Sequence, residues 1–326
     1  MKIIVTGGLG FIGSNFIRQR LKTHPQDEVI NVDKITYASN PLNLDLARNA
    51  RYSFARCDIS DYESIRSLVK ESDCIVNFAA ETHVDNSIAS SDQFVASNIL
   101  GEHNLLKLSL EFGIRFHQVS TDEVFGSLPI DSMDKFNENS PYNPSNPYSA
   151  TKASADFLVR SFYNTYKINA TISNCSNNYG RFQHPEKLIP KTILNALNKE
   201  KIPIYGKGNQ VRDWIHVLDH SSALSLILDK GEPGNTYLVG GNNDVSNISV
   251  VHILLRLLDK PGELVQYVKD RPGHDVRYAI ETSRSLLDMG WKRKINFEEG
   301  LKDTIEHYRQ NRAIYENYEK WESGWN

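Results

Sequence analysis

Apolar and polar positions alternate along the first half of the chain in two distinct rhythms. Short apolar runs, such as KIIVTG at 2–7, EVINVD at 28–33, CIVNFAA at 74–80 and RFHQVST at 115–121, read as buried strands. RYSFARCD at 51–58 reads as another. Between them lie stretches with helical spacing: NFIRQRLKTH, DYESIRSLVKE, a long one over 93–112 and another over 148–166. Strand and helix in turn imply parallel βαβ units, so the pattern predicts an α/β fold with a doubly wound parallel sheet. ATISNCSNN supplies one more strand and an outgoing loop. Past residue 179 the rhythm shortens, broken by Pro185, Pro190, Pro203, Gly206 and Gly208. We therefore expect a sheet domain over 1–180, with 213–240 returning to it, and a smaller C-terminal α/β domain over 181–326.

Charge narrows the function. The formal net charge is −3, which gives no bulk attraction to nucleic acid or anionic lipid, so an anionic ligand needs a local basic cluster. No uncharged apolar stretch is long enough for a membrane span. Cys57, Cys74 and Cys175 are odd in number and far apart, which suits a reducing, cytoplasmic setting rather than disulfides or a zinc site. The start, MKIIVTGG, goes directly into a strand and shows no signal peptide.

The first chemistry-bearing motif is VTGGLGFIG. Gly8, Gly10 and Gly13 satisfy G-x-G-x-x-G, and Gly7, Gly10 and Gly13 satisfy the wider spacing. Glycine allows the tight turn and lets backbone approach a pyrophosphate, while the following helix offers free N–H groups. Asp33 closes the next strand, where it can accept bonds from ribose hydroxyls and repel a 2′-phosphate. The expected cofactor is NAD on a Rossmann-type sheet, with Lys34 beside Asp33 as a mild counterweight.

Downstream, PYSATKA sets Tyr148 and Lys152 one helical turn apart. A phenol is a poor base at neutral pH; lowering its pKa by about three units takes roughly 4 kcal/mol. A neighbouring ammonium and a positive nicotinamide act in that direction. VSTDEVFG adds Thr121, Asp122 and Glu123 at the rim of a buried strand. Two carboxyls in different environments can serve as general acid and general base. Lys187, Arg212, Arg271 and His274 offer focused positive charge for a diphosphate. No residue spacing suggests a metal site.

Together these motifs resemble the extended short-chain dehydrogenase/reductases, and more narrowly the dTDP-glucose 4,6-dehydratases. TGGLGFIGSNF, NVDKITYA, NFAAETHVDNSI, VSTDEVFG, NPYSATKASAD, SNCSNNYGRFQHPEKLIP, PIYGKGNQVRDWIHV and DRPGHDVRYAIE carry the resemblance. It implies NAD contacts at Gly7, Gly10, Phe11, Ile12, Gly13, Asp33, Lys34, Ile35, Thr36, Asp58, Ile59, Ala79, Ala80, Thr82, Ser97, Tyr148, Lys152 and Asn178. It implies substrate contacts at Thr82, Thr121, Asn177, Lys187, Leu188, Pro203, Tyr205, Arg212, Asn247, Arg271 and His274. The implied reaction oxidises the sugar at C4, eliminates water across C5 and C6, and returns the hydride to C6. Tyr148 takes the C4 hydroxyl proton, assisted by Thr121 and Lys152; Glu123 takes the C5 proton; Asp122 protonates the leaving hydroxyl. The Asp–Glu couple separates this reading from a 4-epimerase or decarboxylase of the same superfamily, and the Tyr–Lys pair separates it from a non-catalytic NAD sensor. Thr82, Asn86, Phe125, Arg181 and Leu218 depart from the family's usual Ser, Arg, Tyr, Pro and acidic residue. The resemblance also implies a homodimer through a helical bundle built from the two long helices.

Overall fold

A computed structural model describes residues 1–270 and 272–318. Among the described residues twelve strands form three sheets: β1 (Lys2–Thr6), β2 (Glu28–Asp33), β3 (Tyr52–Arg56), β4 (Cys74–Asn77), β5 (Arg115–Thr121), β6 (Ala170–Cys175), β7 (Asn177–Tyr179), β8 (Ile202–Tyr205), β9 (Val211–His216), β10 (Thr236–Val239), β11 (Asp244–Ser246) and β12 (Val265–Val268). The main sheet has the order β10-β6-β5-β4-β1-β2-β3, and every pairing in it is parallel. Helices cover both faces of a parallel sheet, so its central strands bury both sides. That is why CIVN and ATISNC are buried at every position rather than at alternate ones.

The strand order reverses between β1 and β4, each flanked by a crossover in opposite directions. Such a switch point opens a crevice at the carboxyl ends of the strands. The glycine turn after β1, the end of β4 and the end of β5 all meet there.

The helix Pro147–Tyr166 begins with Pro147 in its first turn and a capping box made by Asn146 and Ser149. Its start is thereby fixed, which fixes where Tyr148 and Lys152 stand. The expected single helix over 93–112 is instead Asp92–Val95, a π-helical stretch Ala96–Gly101, and Glu102–Phe112, closed by Gly113 at φ 66°. Such stretches insert one residue per turn and recur at functional sites; this one presents Ser97 to the crevice.

Beyond β6 the chain builds a smaller unit. β7, β9 and β11 form one sheet and β8 with β12 another. The helices Leu188–Asn198, Asn247–Leu258 and Phe297–Gln310 enclose a second core around Ile193, Trp214, Leu254, Leu301 and Tyr308. Between these elements the helix Val217–Lys230 returns to pack on Phe11–Thr23, and β10 joins the edge of the main sheet.

Candidate active site

The turn after β1 is shaped by contacts that exclude side chains. Gly7 has φ 67°, and a Cβ there would sit 2.7 Å from Ala79 Cα; one on Gly13 would sit 2.6 Å from the Gly7 carbonyl oxygen. Gly10 caps the helix Phe11–Thr23, whose first turn holds no acidic residue and whose cap makes no side-chain bond. The first N–H groups of a helix have no partner within it. Here they are left to an anion at the floor of the crevice.

Asp33 ends β2 and is buried. Its carboxylate accepts from Leu9 N at 3.0 Å and Ile35 N at 2.8 Å, and so ties the glycine turn to the next loop. Burial raises its pKa, while these backbone bonds oppose the shift. Ile35 adopts φ 62°, a left-handed conformation unusual for a β-branched residue, and turns its N–H back to Asp33. Lys34 donates to Ser97 Oγ at 2.8 Å and lies 3.2 Å from Glu81 and 3.9 Å from Asp58. Its charge is already matched, so it does not offer a vacant partner to a 2′-phosphate.

A cavity of about 320 Å³ runs along this crevice. Its lining includes Gly7, Gly10, Phe11, Ile12 and Gly13 of the glycine turn and Asp33, Lys34, Thr36, Asp58 and Ile59. Ala79, Ala80, Thr82, Ser97, Thr121, Asp122, Glu123, Tyr148, Lys152, Asn177, Asn178 and Lys187 line it as well. Ile35 lines an adjoining groove instead. The backbone cradle, the unpaired helix start and the carboxylate on β2 fit a dinucleotide, the adenosine half toward Asp33 and the reactive half toward Tyr148.

Asp122 and Glu123 do not continue the strand. They open a 3₁₀ turn, Asp122–Phe125, in which Thr121 Oγ1 accepts from Glu123 N at 3.2 Å. The turn, rather than strand alternation, sends the two carboxyls into different surroundings. Asp122 is 1% exposed and Glu123 only partly buried. One Asp122 oxygen takes a long bond from Thr121 Oγ1 at 3.4 Å, and the other has no hydrogen-bond partner. Burial first, then the charges of Glu123 and Asp213, push the Asp122 pKa far above the carboxylate range; Arg212 opposes them. Burial of this kind favours the protonated carboxyl.

Tyr148 is buried, with a pKa raised well above that of free tyrosine by burial and then by Glu123. Its bond with Thr121 acts the other way. Lys152 is also buried; Nζ donates to Val119 O at 2.9 Å, and burial lowers its pKa against the pull of Asp156 and Glu102. The lysine is therefore held by β5 and by carboxyls behind it.

Leu188, Pro203, Tyr205, Arg212, Asn247 and His274 lie outside the cavity lining. Two of them, Tyr205 and His274, meet in a second cluster. Tyr205 OH donates to Asp85 at 3.2 Å, and its ring meets His274 edge-on at 6.2 Å. His274 Nδ1 lies 2.7 Å from Asp270. Arg212 is buried, donates to Asp275 O at 2.9 Å and stacks 4.3 Å from the Tyr278 ring. Arg271 falls outside the described residues. Sequence reasoning missed Glu81 and Glu186, which line the cavity; Glu186 sits inside the quoted motif QHPEKLIP, where Lys187 drew the attention. It also missed Asn77, Glu102 and Gln118 behind Lys152. Glu102 carried one signal, a charge on the inward side of an amphipathic helix.

Among the described residues no group of side chains could hold a metal ion, and no helix is long and apolar enough to cross a membrane.

Known proteins share this arrangement. The family model described as GDP-mannose 4,6 dehydratase matches residues 4–304. A dTDP-glucose 4,6-dehydratase of Mycobacterium tuberculosis is 46% identical over 96% of this chain and 95% of its own. The structure of a Streptomyces venezuelae dTDP-glucose 4,6-dehydratase with NAD bound superposes with a TM-score of 0.94 at 40% identity, covering 98% of this chain and all of the other. A Thermus thermophilus UDP-glucose 4-epimerase with NAD shares the fold at 26% identity, with a TM-score of 0.87 over 95% of this chain and 99% of its own. With a nucleotide cradle, a Tyr–Lys helix and an acid pair converging on one crevice, and with identity of this extent, the chain belongs to the dTDP-glucose 4,6-dehydratase family.

Proposed function

We propose that this protein is an NAD-dependent dehydratase that turns dTDP-glucose into its 4-keto-6-deoxy sugar. The observation that carries the reading is the unequal pair Asp122 and Glu123, one buried with an unpartnered oxygen and one facing the cavity, both beside Tyr148. An epimerase has no need of a second acid and base at the sugar.

A hexose C5–H is not acidic and its C6 hydroxyl leaves poorly, so elimination must follow oxidation at C4. NAD, when bound, supplies the hydride acceptor and donor for that oxidation and its reversal at C6. The residues of the chain manage the protons. Tyr148 receives the C4 hydroxyl proton, and Thr121, within reach of the same oxygen, orients it. The cavity-facing Glu123 takes the C5 proton acidified by the C4 ketone, and gives a proton back to C5 when hydride reaches C6. Asp122 gives its proton to the departing C6 hydroxyl, which explains the value of a site that keeps a carboxyl neutral. Tyr148 has its pKa raised in the absence of ligand, so its activation depends on positive charge brought to the nicotinamide end of the cavity together with the Lys152 ammonium.

Asn177 and Lys187 line the same cavity as the catalytic turn, and we assign them to the sugar and diphosphate. Tyr205, Arg212 and His274 lie outside that lining, and we assign them to the nucleotide. We also infer a homodimer. Val95, Leu100 and Leu110, with Phe157 and Tyr166, leave exposed apolar side chains on the two long helices, as a helical bundle between two copies requires; light scattering that gives a dimer mass supports it, and a monomer mass overturns it. The free thiols Cys57, Cys74 and Cys175 fit the cytoplasm.

Incubation of purified, NAD-loaded protein with dTDP-, UDP- and CDP-glucose tests the function. A 4-keto-6-deoxy product from dTDP-glucose supports it; an epimer, or no product, contradicts it.

A further inference from the structure

A buried polar chain runs behind Lys152 that the proton transfers above do not use. Thr6 at the end of β1 donates to Asn77 Oδ1, which also accepts from Ala79 N at 3.2 Å. These two donors fix the Asn77 amide, so its nitrogen faces outward and donates to Glu102 Oε2. Glu102 opens the helix Glu102–Phe112 directly after the π-helical stretch and is 0% exposed. Its Oε1 has no hydrogen-bond partner. Gln118 on β5 lies between this carboxyl and the lysine. In one orientation of its amide the oxygen accepts from Asn77 Nδ2 at 3.0 Å; in the other the nitrogen reaches Glu102 Oε2 at 3.0 Å while the oxygen accepts from Lys152 Nζ at 3.1 Å.

The orientation of that amide is tied to charge. With its nitrogen toward Glu102 and its oxygen toward Lys152, it suits a carboxylate and an ammonium. With its oxygen on Asn77 Nδ2 instead, it places that oxygen near the carboxyl and an NH₂ against the amine, which suits a protonated acid and a neutral amine better than a charged pair. A side-chain amide between a buried acid and a buried base thus couples their protonation.

The groups facing Lys152 are Asp156 from its own helix, Glu102 from the neighbouring helix and Cys175 from β6; those facing Glu102 are Lys152 and Asp156. Asp156 is well supplied, accepting on one oxygen from Ser120 Oγ, Tyr142 OH and Asn174 Nδ2. Those donors stabilise its charge in place. Glu102 Oε1 and Asp156 Oδ1 both lack a partner, but Glu102 has fewer donors on its other oxygen and burial raises its pKa to about 8, so it is the member free to gain or lose a proton.

We propose that Glu102 is a positioning residue for the catalytic Lys152, acting through the Gln118 amide to keep the lysine an ammonium and aimed at the cavity. The inference rests on the dehydratase reading, in which that ammonium supports Tyr148. Removing the carboxylate weakens the hold of Lys152 on its proton, so the ammonium is lost at lower pH.

The test measures kcat and KM for dTDP-glucose against pH in NAD-loaded wild type, Glu102→Gln, Gln118→Met and the double variant. Product formation by the wild type is checked first; its failure would count against the dehydratase reading, not against this one. The expected result is an alkaline limb of kcat moved down by about one pH unit in each single variant, with KM and bound NAD unchanged. The double variant should move no further than either single one, because both cut the same link. An unmoved limb in the folded variants, or fully additive shifts in the double, overturns the proposal. Should Glu102→Gln not fold, Gln118→Met alone decides it: a downward shift supports the link, and an unmoved limb refutes it.

Discussion

The two ends of the cavity are built on opposite terms. At the adenosine end the polar groups have partners: Asp33 accepts from two backbone N–H groups, and Lys34 is matched by Ser97, Glu81 and Asp58. At the reaction end Asp122 and Asn177 each keep a buried oxygen with no partner, and Tyr148 and Lys152 are both buried against their charged forms. Binding asks only that a rigid surface match a ligand. Proton transfer needs groups whose states are held away from their preference in water, and an uncompleted bond marks where the ligand supplies what is missing.

The largest effects are expected at the reaction end. Asp122→Asn and Glu123→Gln should each lower kcat by about 10²–10⁴-fold while bound NAD is retained, as read by product formation and cofactor content of the same preparation. Near-normal turnover in both variants would erase the contrast between the two ends. Gly7→Ala should do the reverse. The new Cβ meets the Ala79 backbone at 2.7 Å with φ at 67°, so the turn must shift. A cost of about 1–3 kcal/mol in urea unfolding and loss of NAD occupancy are expected; unchanged occupancy would show that the cradle tolerates what its geometry forbids.

A smaller effect sharpens the adenosine end. Glu81→Gln frees Lys34 from its nearer carboxylate, and should improve use of NADP relative to NAD by about tenfold, roughly 1.4 kcal/mol, read as a ratio of affinities. An unchanged ratio would mean that Asp33 alone sets the choice. The smallest concerns stability and pH. The pKa of Asp122 is raised in the folded state, so the fold binds that proton more tightly than the unfolded chain does. Its contribution is intact below the unfolded carboxylate value and is lost as pH rises toward the folded one. Asp122→Asn removes this loss, and its melting temperature should exceed that of wild type near pH 7 but not near pH 4. A gain equal at both pH values would contradict a proton held by burial.

The same contrast explains what the sequence revealed. The glycine turn, Asp33 and the Tyr148–Lys152 spacing are local: each needs only neighbours in sequence and one period, strand or helix. β2 runs over Glu28–Asp33 as its apolar pattern implied. The acid pair was legible as a pair, but not as a 3₁₀ turn, because turning depends on Thr121 capping Glu123 N and on how β5 meets the helix Pro147–Tyr166. The π-helical stretch at 96–101 left no mark in the apolar spacing. Neither did the Asn77–Glu102–Gln118 chain, whose members lie on three elements and meet only when β4, β5 and the helix after Gly101 pack together. Arg181 illustrates the surface case: where proline is usual, it forms an exposed ion pair with Asp303 that needs no explanation from the chemistry.

The most direct test uses dTDP-glucose deuterated at C4 with the NAD-loaded protein, followed by mass spectrometry and NMR of the sugar. The account requires a 4-keto-6-deoxy product whose methyl group carries the deuterium that began at C4. A product lacking that deuterium, or a recovered C4 epimer, would contradict it.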